Sequence, residues 1–254
     1  MSTPSPTETR PPATEESPLV VLVHGAFHGA WCWAALQAEL DRRGVPSIAV
    51  DRPGHGASSE PKGDLHGDAD ALAAVVRKLA RPVVIVGHSY GGAVISQADT
   101  APYARHLVYL TAMVVDEGES ATALSATLPV VEGPAARLFR RRDDGLLEAR
   151  PELAPLAFYA RCAPEAAAAA VARLEPQRAA TMKQPATRAR WREVPSTYVV
   201  CRQDQAIHPA AQAAMAERCG AVVELDADHS PFLGMPDQVA DILAGIVAGL
   251  DAGR

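Results

Sequence analysis

Pro82-Val-Val-Ile-Val-Gly-His-Ser-Tyr-Gly-Gly92 is the stretch on which the reading of this chain turns. Its first half is a continuous β-branched run, the pattern of a strand buried on both faces of a parallel sheet. Its second half is G-x-S-x-G, and the residues from Gly91 to Thr100 read as a helix. A serine set between strand and helix occupies a sharp turn that projects its hydroxyl from the sheet edge. Gly87 and Gly91 carry no Cβ, so strand and helix can close around it. The N–H of the next residue, Tyr90, then faces a reacting carbonyl oxygen. Ser89 is the candidate nucleophile; the competing reading is a plain glycine-rich turn.

The alternation of strand and helix continues on both sides of this stretch. Leu19 to Val23 is an unbroken apolar run, followed by helical spacing from Trp31 to Arg43 that stops at Gly44. Pro46 to Val50 is a second short strand. Asp64 to Leu79 is a helix, with an acidic start and basic residues at its end, as the helix dipole favours. His106 to Leu110 is a fourth strand. From about 116 to 194 no strand-like run occurs; the segment is rich in Ala, Arg and Pro, with a helix candidate at Pro164 to Leu174. The alternation resumes with a strand at Ser196 to Cys201, a helix at Pro209 to Arg218, a strand at Ala221 to Leu225 and a helix at Asp237 to Leu250. Such a pattern predicts an α/β fold, a mostly parallel twisted sheet flanked by helices. Residues 19–115 and 195–254 form its core, and 116–194 is a helical cap insertion. Residues 1–18 are Pro, Thr, Ser and Glu with little to bury and read as a disordered tail.

The chain has 254 residues, 48% apolar and 21% charged, enough to build a large core. Its net charge of −6 argues against a nucleic-acid or anionic-membrane surface. No basic region followed by an apolar one marks an export signal, and no apolar run approaches the ~18 residues of a membrane span. The four cysteines, Cys32, Cys162, Cys201 and Cys219, lack metal-type spacing and read as reduced thiols of a cytoplasmic protein.

A serine hydroxyl needs a base and an acid that orients the base. His229 lies just after the last strand, in Asp226-Ala-Asp-His-Ser-Pro231, at the C-terminal edge of the sheet where α/β sites gather. His24, His28, His55 and His66 precede the serine, against the order Ser, acid, His. Asp204, on the loop after the strand ending at Cys201, is the candidate acid, and Asp116 is its competitor. Asp228 is too close in sequence to reach around to Nδ1 of His229. The Ala26 N–H, leaving the first strand at the same edge, is the second oxyanion donor beside Tyr90. Gly25 and Phe27, in the same loop, are expected to touch the substrate. His24 reads as a structural hydrogen-bonder beneath that loop, and Asp51 and His55 as residues that fix their own turn.

With these residues in place, the chain resembles the α/β-hydrolases. More narrowly, it resembles the plant methylesterase and hydroxynitrile lyase group and its bacterial esterase relatives. The stretches that carry this are VLVHGAFHGAWCW (from Val21), VIVGHSYGG (84–92), VYLTAMVVDEGES (108–120), VVCRQDQAIHP (199–209) and DADHSPFLGMP (226–236). The resemblance implies Asp204 as acid, His229 as base, and Ala26 and Tyr90 as oxyanion donors. Lyases of the group carry Thr where Gly25 stands and Lys where Ser230 stands, so both departures favour ester hydrolysis. Haloalkane dehalogenases and epoxide hydrolases need an Asp in place of Ser89.

The expected activity is cleavage of a small or medium carboxylic ester through an acyl-enzyme, without metal or organic cofactor. The expected partner is a small-molecule ester, with no nucleic acid and no membrane; a homodimer is an admissible assembly. Two other readings stay open at this point. One is a lyase or biosynthetic tailoring enzyme using the same pocket. The other is a non-catalytic protein that holds a small molecule there.

Overall fold

The computed structural model describes residues 17–129 and 135–252. Most of the expected tail therefore lies outside the described residues. Ser17, at its end, donates its hydroxyl to Asp251 (2.7 Å) and accepts from Arg81 through its carbonyl (2.8 Å).

Six strands form one sheet: β1 (Leu19–Val23), β2 (Ser47–Val50), β3 (Val83–His88), β4 (Ala104–Leu110), β8 (Ser196–Cys201) and β9 (Ala221–Leu225). Their order is β2-β1-β3-β4-β8-β9, and every pairing is parallel. The apolar runs are explained by burial on both faces. Val20, Leu22, Val84, Val86 and Val108 meet α1 (Ala34–Arg42) and α10 (Pro236–Ala252) on one side, through Trp33, Leu36, Leu40 and Leu243. Val21, Val23, Ile85, Leu107 and Tyr109 meet α2 (Leu65–Leu79), α3 (Gly91–Gln97) and α8 (Pro209–Ala216) on the other, through Leu72, Val76, Val94 and Met215. The ends of α2 are set by local chemistry. The Asp64 side chain accepts from the Gly67 N–H, and Ala80 closes the helix in a left-handed conformation.

The core elements agree with the sequence reading to within a few residues. The expected helix from Trp31 divides into a 3-10 turn (Ala30–Trp33) and α1. The helix after the serine ends at Gln97 rather than Thr100, because Ala98 is already extended.

The insertion corrects the expectation that 116–194 holds no strand. It contains α4 (Ala121–Thr127), α5 (Ala135–Leu138), β5 (Phe139–Arg141), β6 (Leu146–Ala149), α6 (Ala154–Phe158), α7 (Pro164–Val171) and β7 (Gln177–Arg178). The three strands form an antiparallel sheet in the order β5-β6-β7. β5 is exposed throughout, so no hydrophobic period betrays it. Its register comes from the turn and from charge. Gly145 sits at φ +82°, Asp144 accepts from the Leu146 N–H (3.1 Å), and Arg140 pairs with Glu148 directly opposite. Below these strands Leu138, Phe158, Tyr159 and Ala167 pack around Phe27, on the loop leaving β1. Among the described residues no helix is long and apolar enough to cross a membrane. The four cysteines are free.

Packing is close at the strand–helix turn. A Cβ at Gly92 meets the Met113 carbonyl oxygen at 2.5 Å, while one at Gly245, inside α10, meets nothing within 4 Å. Gly92→Ala is expected to cost about 1–3 kcal/mol of stability. Gly245→Ala should gain about 0.5–1 kcal/mol. Urea unfolding midpoints of the two variants check both signs.

Candidate active site

β3 delivers Ser89 to the C-terminal edge of the sheet. Ser89 adopts φ +52°, a left-handed conformation that costs a non-glycine residue about 1–3 kcal/mol. Its neighbours hold it there. The Ser89 carbonyl accepts from the N–H groups of Gly92 and Met113 (3.0 Å each). Gly87 and Gly91 make the turn possible, since added Cβ atoms fall 2.6 Å from the carbonyl oxygens of Gly91 and Val23 respectively.

The loop after β9 brings His229 to the same edge. Its Nδ1–H donates to Asp204 Oδ2 (2.7 Å), which leaves Nε2 as the acceptor. Asp204 is fully buried and its carboxylate is saturated with donors. Oδ1 accepts from the N–H groups of Ala206 (2.7 Å) and Ile207 (2.9 Å). Oδ2 also accepts from Gln212 Nε2 (3.0 Å) and from the Thr111 hydroxyl. The Phe158 ring, from the insertion, stacks on His229 with centroids 5.5 Å apart. His88 fixes the other side, its Nε2–H donating to the His229 carbonyl (2.8 Å).

Ser89, His229, Ala26, Tyr90 and Phe27 line one cavity of about 240 Å³. Met113, Phe139, Phe158, Met182 and Ile207 supply much of the remaining wall, and among the described residues no Asp, Glu, Lys or Arg side chain lines it. Gly25 lies behind the serine rather than on the wall; a Cβ there falls 2.9 Å from Ser89 Cβ and 2.8 Å from His88 Nδ1. Among the described residues the N–H groups of Ala26 and Tyr90 donate to no protein acceptor. A serine, an imidazole with an open Nε2, and two uncommitted N–H donors at one cavity can together attack a carbonyl and hold the resulting oxyanion.

The other candidates lie elsewhere. Asp116 pairs with Arg192 at the surface. Asp228 accepts from the N–H groups of Ser230 (3.0 Å) and Arg161 (2.7 Å), which ties the His229 loop to the insertion. Asp51 accepts from the N–H groups of Ala30 (2.6 Å) and Ala57 (3.0 Å), so it joins its own turn to the start of the first helix. No group of His, Cys, Asp and Glu able to hold a metal occurs among the described residues. Sequence reasoning missed Thr111, Gln212, His28 and Phe158. Of these, His28 and Thr111 stand in motifs given above, while Phe158 sits in the insertion and carried no signal.

Several buried histidines surround the site. The His28 Nδ1–H donates to the Ala26 carbonyl (2.7 Å), and its Nε2 accepts from the Tyr159 hydroxyl (2.6 Å). Burial pushes His28 down to about 4 and His55 to about 3. Burial also holds His24 and His88 well below the ordinary imidazole range.

These rings make stability depend on pH. Above pH ~6.5 each is neutral whether the chain is folded or not. Below that, the unfolded chain takes up protons that the fold refuses, until the folded pKa is reached. Stability should therefore fall from pH ~6.5 downward, before the carboxylate range near ~4 is entered. For His28, whose folded value is about 4, the loss is about 3 kcal/mol by that pH. Urea midpoints measured from pH 7.5 to 4.5 check the onset.

Comparison with known proteins agrees with this geometry. A family profile described as "Alpha/beta hydrolase family" matches residues 20–242. The chain is 30% identical over 243 residues to the alpha/beta hydrolase nvfD of Aspergillus novofumigatus, covering 89% of this chain and 95% of that protein. It is 37% identical over 109 residues to the pFDCC methylesterase MES16 of Arabidopsis thaliana, covering 39% of this chain and 40% of that protein. Among solved structures, a pyrethroid hydrolase from Sphingobium faniae JZ-2 superposes with a TM-score of 0.77 at 26% identity, over 91% of this chain and 97% of that one. Sheet order, strand–serine–helix turn and family match converge: the chain belongs to the alpha/beta hydrolase family.

Proposed function

We propose that this protein is a serine carboxylesterase acting on small or medium neutral esters. The observation that carries the reading is the meeting of Ser89, in its left-handed turn, with the His229–Asp204 pair at one cavity lined by mostly apolar residues. Ser89 Oγ attacks the ester carbonyl and His229 Nε2 takes its proton. Asp204, through Nδ1, keeps the imidazole in the required tautomer and stabilises the imidazolium. The N–H groups of Ala26 and Tyr90 receive the oxyanion, each contributing about 3 kcal/mol to the transition state. His229 returns the proton to the departing alcohol, then activates the water that releases the acid.

The wall chemistry supports the neutral substrate. A carboxylate on the acyl or alcohol part enters a cavity on whose wall no described residue is a cation, and it loses its hydration uncompensated. The names of two relatives, a methylesterase and a pyrethroid hydrolase, suit an ester substrate. The lyase alternative is disfavoured by crowding at Gly25, where the Cβ of a threonine collides with His88 and Ser89.

Incubation with a fluorophosphonate should add one adduct to the wild-type mass and none to Ser89→Ala. The same variant should lose turnover of p-nitrophenyl acetate. Persistent labelling of Ser89→Ala overturns the nucleophile. A p-nitrophenyl ester whose acyl chain ends in a carboxylate should show kcat/KM at least ~100-fold below that of its neutral methyl-capped analogue. Equal values overturn the neutral-substrate reading.

A further inference from the structure

Beneath the loop that follows β1 lies a buried cation. Arg52 is 2% exposed and pairs through Nη1 with Asp68 Oδ2 (2.7 Å), itself 1% exposed. A buried ion pair is weak evidence for stability, because desolvation offsets most of the attraction. Its remaining contacts give it another role. Arg52 Nη2 donates to the Gly25 carbonyl (2.9 Å) and to Gln177 Oε1 (3.0 Å) on β7. The guanidinium carbon also lies 4.9 Å from the Tyr90 ring centre, and the Tyr90 hydroxyl donates to the same Asp68 oxygen (3.1 Å).

The Gly25–Ala26 peptide is trans, so its carbonyl and its N–H point in opposite directions. Whatever holds the Gly25 carbonyl therefore aims the Ala26 N–H. Two donors hold it: Arg52 Nη2 and the Nδ1–H of His24 (2.9 Å). The proton on His24 is placed by its other nitrogen, since Nε2 accepts from the Arg52 backbone N–H (3.2 Å). A cation on the carbonyl side also draws density from the peptide and strengthens its N–H as a donor.

We propose that Arg52 is a positioning residue for catalysis: its guanidinium orients and polarises the Gly25–Ala26 peptide so that the Ala26 N–H meets the developing oxyanion. This rests on the serine-esterase reading above. Asp68 is the counter-ion that keeps the cation in place, and Gln177 ties the same guanidinium to the insertion. Arg52 touches no substrate, as it is absent from the cavity wall.

The test compares two ketones of one shape. A trifluoromethyl ketone adds Ser89 Oγ at its carbonyl carbon, passes the serine proton to His229 and leaves a negative oxygen at the Ala26 and Tyr90 N–H groups. The matching methyl ketone binds without that addition. Arg52→Lys keeps a cation for Asp68 but cannot reach the Gly25 carbonyl as well. Arg52→Met with Asp68→Asn removes both charges and leaves an acceptor for the Tyr90 hydroxyl.

In either variant kcat should fall about ten- to a hundredfold, somewhat less than the ~10²–10³ for deleting an oxyanion donor. KM should stay within about threefold. Affinity for the trifluoromethyl ketone should fall by the same factor as kcat, with the methyl ketone unaffected. Folded variants with unchanged kcat and unchanged trifluoromethyl ketone affinity overturn the proposal. So does an equal loss for both ketones, or a failure of both variants to fold, since each marks Arg52 as a purely structural element. Wild-type protein that forms no adduct overturns the esterase reading and this inference together. A wild-type adduct beside unchanged variants overturns the role of Arg52 alone.

Discussion

The close approach of backbone to backbone at the turn after β3 is the constraint on which the rest of the site depends. Ser89 holds a left-handed conformation because the chain must reverse from strand to helix within two residues. It can do so only because the glycines around it leave carbonyl oxygens of β1 and of the β4 exit where side chains would otherwise stand. The strain is sustained by hydrogen bonds to the Ser89 carbonyl from two separate segments. The same crowding brings the loop after β1 against the serine, which is why Ala26 lines the same cavity as Ser89.

Around this turn the described residues divide into a cavity wall without ionisable acids or cations and a buried charged layer behind it. The cavity wall holds neutral histidines, aromatic rings and methionines. The Asp204 carboxylate on one side and the Arg52–Asp68 pair on the other sit behind that wall, against a ring or a peptide. Such a layout places oriented dipoles, rather than ions, along the described cavity wall. It also leaves His28 and His88 as neutral spacers whose hydrogen bonds fix the Ala26 carbonyl and the His229 carbonyl.

The insertion joins this arrangement at several points. Phe158 stacks on His229, Gln177 meets Arg52, and the Arg161 N–H donates to Asp228 in the loop of the imidazole. It closes the cavity with side chains and braces the loops that carry the chemistry. Its exposed strand β5 is held by a turn and a cross-strand ion pair, so its pattern resembles polar coil. The Asp143-Asp-Gly145 turn was the visible trace of the hairpin, and only pairing with β6 gives it meaning.

The parallel sheet was legible in the sequence because strands buried on both faces must be apolar at every position, and no surface helix imitates that for long. The serine was legible because only a strand, a tight glycine turn and a helix present it that way. The order of the chemistry-bearing residues along the chain pointed to Asp204 and His229. What the sequence did not determine was every contact between segments distant along the chain. Thr111 on the acid, the stacking of Phe158 and the grip of Arg52 on the Gly25 carbonyl join residues 27 to 93 positions apart. Local pattern records what one segment needs from water and from its own backbone. Which side chains meet is settled only when the sheet brings its C-terminal loops to one edge and the insertion folds down over them.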